Sequence, residues 1–294
     1  MNEELFPIIE GFSVFGEPLI QLTITLNANG ILEKKFNEAL DNYNANPENP
    51  DNLIWLGRRT AYLGRFREAI FIFTKGIRQF PDDPRMYRHR GHRFLSLRQL
   101  DLAHEDFLKA SQLIKGKDDQ VEPDGVPNVR GIPVSTLHSN IWYHLGLAAY
   151  LKGDLISAKE AYKQCLQASK IDDNYVSTGH WLYMTLRLLN QKSEAEILLN
   201  RLSSDLDIVE NVHYFNLMRM YKGELEPESL LEQARKNGSM ELATVGYGIA
   251  NWYFYNGDVE IAKKIFKEIH LLDGWASFGY IAAEVALKKL VNHD

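Results

Sequence analysis

Gly57 and Gly91 stand 34 residues apart, and the residues that follow each of them match. Twelve positions on comes an alanine (Ala69, Ala103), four further an aromatic (Phe73, Phe107), and three further a small residue (Gly76, Ala110). The same frame fits Gly146, Ala158, Tyr162 and Cys165, and there Trp142, Leu145 and Gly146 complete a W-x-x-L-G opening. Leu56–Gly57 and Pro81 supply matching pieces of the first copy. A fixed period of this length marks a repeat architecture, in which one unit is too small to bury its own apolar faces and neighbours must stack. Each unit is expected to be a pair of helices, its small residues letting the two approach closely.

The period together with the A-x-x-x-aromatic signature resembles the tetratricopeptide repeat family, in the form of a bacterial-type solenoid. The resemblance covers roughly residues 50 to 290 and is strongest before Ser169. Degenerate copies carry Tyr183, Ala195 and Leu199, then Ala250, Ala262 and Phe266. Between them, Ile208 to Ala234 reads as a less regular helix pair interrupted at Pro227. The resemblance implies an all-α right-handed αα-superhelix whose first helices line a concave groove.

One continuous solenoid domain is expected. It comprises an N-terminal segment with a leading helix (1–46), two repeats (47–115), an inserted loop (116–136), two further repeats (137–206), and degenerate helix pairs with a capping helix (207–294). Residues 1 to 30, with their glycines and Pro18, read as irregular chain packed on the first helices. Ile31 to Tyr43 reads as the leading helix and Trp275 to Val291 as the cap. Gly91 and Gly146 are 55 residues apart, so this stretch holds one period plus an insertion of 21. The insertion, Gly116 to Thr136, holds three prolines, three glycines and four acids, and so reads as a loop. A loop of that length inside a domain is usually functional or disordered.

The chain is acidic overall, with a net charge of −6 over 294 residues. That balance opposes general polyanion binding, which needs a broad basic surface, and no nucleic-acid partner is expected. Cys165 is the lone cysteine, so neither a disulfide framework nor a cysteine-rich zinc site is available. No stretch reads as a signal peptide or a membrane span, and the expected location is cytoplasmic.

Against that background one segment stands out. Between Pro84 and Leu100 lie five arginines and two histidines with no acid. In the repeat frame Arg88, His89 and His92 point toward the groove. The same offsets in other copies give Trp55 and Arg58; Tyr143, His144 and Tyr150; His180, Trp181 and Arg187; and Tyr247, Asn251 and Phe254. The expected site is therefore basic, histidine-rich and aromatic, suited to an anionic ligand. Arginine presents a planar fork to carboxylate or phosphate, and each charged hydrogen bond contributes about 1.5–3 kcal/mol when shielded. Some tetratricopeptide domains clamp a peptide's terminal carboxylate from these helices, and Arg58, Arg88 and His92 sit at comparable offsets. The lysine and asparagine pattern of those clamps is absent here. A solvated basic face with no particular ligand is the competing reading. Arg90 stands where an apolar residue is expected, and so calls for an internal acid from Glu105, Asp106, Glu122 or Asp124.

Signatures of metalloprotease, serine hydrolase, phosphate-binding-loop and dithiol chemistry are all missing. No catalytic residue, metal or cofactor is assigned. The reading is a non-enzymatic interaction module that binds a peptide segment or other anionic ligand. Its alternative is a small-molecule-binding protein or enzyme that uses the groove histidines, enclosed by the insertion with Glu122 and Asp124 as a lid.

Overall fold

The computed structural model describes residues 7–21, 30–168 and 171–291. Contacts cluster in two compact units, 1–113 and 114–294.

The first unit begins with an antiparallel hairpin, β1 (Ile9–Phe12) and β2 (Pro18–Ile20), paired Ile9 to Ile20 and Phe12 to Pro18. This corrects the expectation of irregular chain for its described part; residues 1–6 and 22–29 lie outside the described residues. Five helices follow: α1 (Ile31–Ala45), α2 (Pro50–Tyr62), α3 (Phe66–Gln79), α4 (Pro84–Ser96) and α5 (Leu100–Leu113). The starts of α2 and α4 are built alike. Asn49 and Asp83 accept from the backbone N–H two residues on, and Pro50 and Pro84 occupy the first turn. Each cap satisfies a donor that the helix leaves open, and proline there loses nothing. The hairpin serves α3 in the same way, because Glu10 Oε2 accepts from the Arg67 N–H at 2.8 Å.

The glycine-to-aromatic spacing now has a geometric cause. A Cβ on Gly57 would lie 2.5 Å from the Phe73 ring, and one on Gly91 would lie 3.0 Å from Phe107. In each hairpin the aromatic of the second helix presses on the bare backbone of the first. Phe73 also reaches the next hairpin, its ring stacking on His89 at 5.5 Å.

The second unit holds α6 (Leu137–Lys152), α7 (Leu155–Ala168), α8 (Asp172–Leu188), α9 (Lys192–Leu199), α10 (Val212–Tyr221), α11 (Pro227–Asn237), α12 (Ser239–Asn256), α13 (Val259–His270) and α14 (Phe278–Val291). Gly146 meets Tyr162 as Gly57 meets Phe73, with a Cβ 2.6 Å from the ring. The pair α10–α11 is short, and Pro227 opens its second helix rather than breaking one. Asp173, fully buried, accepts from the N–H groups of Val209, Glu210 and Asn211 at 2.7–2.8 Å and so fixes the start of α10. The final helix begins at Phe278, after the buried Trp275.

Among the described residues no helix is long and apolar enough to cross a membrane.

Candidate functional site

The basic segment forms α4, and two turns of α2 stand beside it. Together they enclose a cavity of about 120 Å³ lined by Arg58, Tyr62, Arg88, His89, His92 and Arg93, with Ala61 and Phe73 behind. Arg88 and His89 are buried, and Arg58, His92 and Arg93 are partly exposed. Arg88 Nη1 lies 2.9 Å from His89 Nδ1. A guanidinium can only donate, so Nδ1 accepts and the imidazole carries its hydrogen on Nε2. Arg58 Nη2 donates to the Tyr62 hydroxyl at 3.4 Å, and its guanidinium lies over Trp55 with 4.4 Å to the ring centre. Arg59 covers the same indole at 4.7 Å. Arg93 lies over Phe66 at 5.3 Å. Burial, together with the Arg88 and Arg58 charges, pulls the Arg93 pKa down to about 10, against an opposing pull from Tyr62. The pocket thus brings together three guanidiniums and two imidazoles. Arg93 lies one step beyond the offsets that the repeat frame assigned to the groove. Its charge signal was nevertheless present in the arginine-rich segment.

Arg90 behaves as its position requires. Its Nε and Nη2 donate to the two carboxylate oxygens of Asp106 at 2.8 and 2.7 Å, across the α4–α5 hairpin.

The groove residues expected in the second unit are elsewhere. Tyr143, His144, Tyr150, His180 and Trp181 are all buried. The first helices α6, α8 and α12 converge, and their inward side chains pack on one another. Trp181 lies 5.3 Å from Tyr150 and 5.6 Å from Tyr247. The hydroxyls of Tyr150 and Tyr247 are 2.7 Å apart, and Asn251 Nδ2 donates to the former. Helix α14 packs on α12 and α13 and reaches α6 with side chains, Phe278 lying 5.5 Å from His144 and Lys289 against Gly153. The face read as a groove is therefore interior, because α10 and α12 pack over His180 and Trp181 and Phe278 of α14 packs on His144. His180 stacks on Tyr221, its Nδ1 3.0 Å from that hydroxyl, and burial lowers its pKa to about 3. Arg187 is held by Tyr183 and Asn256, and lies over Tyr255.

The insertion is pinned to α6 and to the loop before α10. Val121 bridges Thr136, Glu122 is buried and accepts from Asn140 Nδ2 at 2.9 Å, and Arg130 pairs with Asp207 at 2.6 Å. Asp124 is partly exposed. Cys165 is buried against Ser139 and Thr178, and burial pushes its thiol up to about 11, so it is a packed thiol and not a reactive one. Among the described residues no group of three histidine, cysteine or acidic side chains is placed to hold a metal ion.

Stacked helix pairs locked by glycine–aromatic contacts define a helical-repeat protein. Residues 139–172, the α6–α7 hairpin and the start of α8, match the tetratricopeptide repeat family profile. Human tetratricopeptide repeat protein 13 is 32% identical over 136 residues, which is 45% of this chain and 13% of that protein. Among solved structures the chain is similar to MamA (14% identity, TM-score 0.46, 68% of this chain and 95% of that one). It is also similar to YrrB, described as a TPR protein with an unusual peptide-binding site (12% identity, TM-score 0.44, 85% and 97%). One tetratricopeptide repeat is thus recognised in this chain, at residues 139–172, and the chain spans about an eighth of the length of the human relative it matches.

Proposed function

We propose that this chain is an interaction module, and that the α2–α4 pocket receives an anionic group carried by a peptide segment of its partner. The observation that carries this reading is the convergence of Arg58, Arg88, Arg93, His89 and His92 on one cavity of about 120 Å³. A cavity of that size takes a single oxyanion and not a folded chain, so the rest of the partner lies outside it. Desolvation already costs Arg93 part of its charge stability, and an incoming carboxylate or phosphate offsets that cost. Trp55, sandwiched between Arg58 and Arg59, offers an amphipathic surface beside the mouth.

The enzymatic alternative finds less support. Two of its four histidines, His144 and His180, are enclosed in the second unit. A base with a pKa of about 3 is also poorly matched to proton transfer near neutrality.

The test is isothermal titration with inorganic phosphate, acetate and a library of acidic peptides, on the wild type and on an Arg58→Glu, Arg93→Glu variant. Wild-type binding that weakens with added salt and falls at least tenfold in the variant is expected. Equal binding by both proteins would overturn the proposal.

A further inference from the structure

The second unit contains a cavity that neither the repeat pattern nor the anion pocket accounts for. It measures about 280 Å³ and lies among α6, α8, α12, α13 and α14. Tyr150 and Tyr247 line it, their hydroxyls bonded to each other, and Asn251 Nδ2 donates to that of Tyr150. On α14, Ala282 and Ala286 face it one turn apart. A longer side chain at either position would fill the space, so the volume is set by these two small residues.

The rim carries a different chemistry. Lys289, on the same face of α14, lies at the mouth. Its Nζ would be 3.2 Å from a Cβ on Gly153, which has φ +86° and leaves the entrance clear. Lys289 is exposed, and no hydrogen bond or ion pair ties it to the described residues. Partial burial nevertheless lowers its pKa.

The lining is poorly suited to ordered water. Water needs two to four polar partners per molecule, and the walls of this cavity are mainly carbon. An apolar body fits the walls, and the size falls just under the ~300–1,000 Å³ of pockets that take small organic ligands. An anion at the rim would meet an ammonium with no ion-pair partner among the described residues.

We propose that this cavity binds a small amphiphile, with its apolar tail or ring against Tyr150, Tyr247, Ala282 and Ala286 and a single carboxylate at Lys289. The site lies wholly in the second unit and does not rest on the α2–α4 reading.

The experiment is isothermal titration with decanoate and with decan-1-ol, both below their aggregation concentrations. The wild type should bind decanoate with one-to-one stoichiometry and at least tenfold more tightly than the alcohol. Ala286→Phe should abolish binding of both. Lys289→Met keeps the apolar stem and removes the charge, and should bring decanoate down to the level of the alcohol. Circular dichroism establishes whether Ala286→Phe folds. If it does not, the rim variant carries the test, because Lys289 is exposed and Met keeps its apolar stem. Absence of saturable wild-type binding, or undiminished binding by folded Ala286→Phe, overturns the site. Undiminished decanoate binding by Lys289→Met assigns the cavity to a neutral apolar group and overturns the anionic head.

Discussion

His180 shows how one residue's environment decides its chemistry. On the sequence it stands at a groove offset beside Trp181. In the structure it is enclosed by Tyr214, Tyr221 and the Trp181 edge, and burial alone holds its pKa near 3. In the unfolded chain it titrates near 6.5. The folded state therefore resists a proton that the unfolded state accepts, and stability falls with pH between those values. The contribution is complete above about pH 6.5 and is lost progressively toward pH 3, with a limiting slope of about 1.4 kcal/mol per pH unit. Urea denaturation at pH 7, 5.5 and 4.5 should show this loss in the wild type and a shallower one in His180→Phe. Parallel curves for the two proteins would mean that another group carries the acid sensitivity.

At the scale of the helix, the pieces that were legible in sequence are those whose cause is local. The glycine, alanine and aromatic of each hairpin sit within one repeat, and Gly57 with Phe73 or Gly146 with Tyr162 touch as their spacing requires. Arg90 paired with Asp106 for the same reason: a charge at an apolar position needs an acid within reach, and the hairpin offers one. The β1–β2 hairpin was not legible, since three or four residues among glycines and a proline give no alternation to read. The burial of Tyr143, His144, Tyr150, His180 and Trp181 was not legible either. It depends on α10, α12 and α14 packing onto α6 and α8, and no local pattern announces that long-range packing. One residue admits α14. A Cβ on Gly279 would lie 2.1 Å from the Ala243 carbonyl oxygen, so α14 meets the α12 backbone through a glycine. Backbone cannot rotate away as a side chain can. Gly279→Ala is expected to cost about 1–3 kcal/mol or more, and to raise hydrogen exchange along α14 and the facing turns of α12. Unchanged protection there would show that α14 has another route onto the stack.

Across the whole molecule, the same repeat signature supports two different interiors. In the first unit the inward side of α4 carries arginine and histidine around a small pocket. In the second it carries tyrosine and tryptophan under a covering helix. Each unit has its own buried set: Leu53, Phe73, Met86, Leu95 and Phe107 in one, and Ile141, Leu147, Tyr162, Trp181 and Phe266 in the other. Cooperative opening follows such contiguous cores. The matched pair of glycines provides a symmetric probe, because Gly57→Ala and Gly146→Ala drive equivalent methyl groups into equivalent rings. Each should destabilise by about 1–3 kcal/mol. Hydrogen exchange read by mass spectrometry should then separate them. Gly57→Ala should speed exchange through α2–α5 and leave α6–α14 as protected as before, and Gly146→Ala should do the reverse. If either variant raises exchange uniformly over all of these helices, the chain opens as a single cooperative body and its stability belongs to the array as a whole.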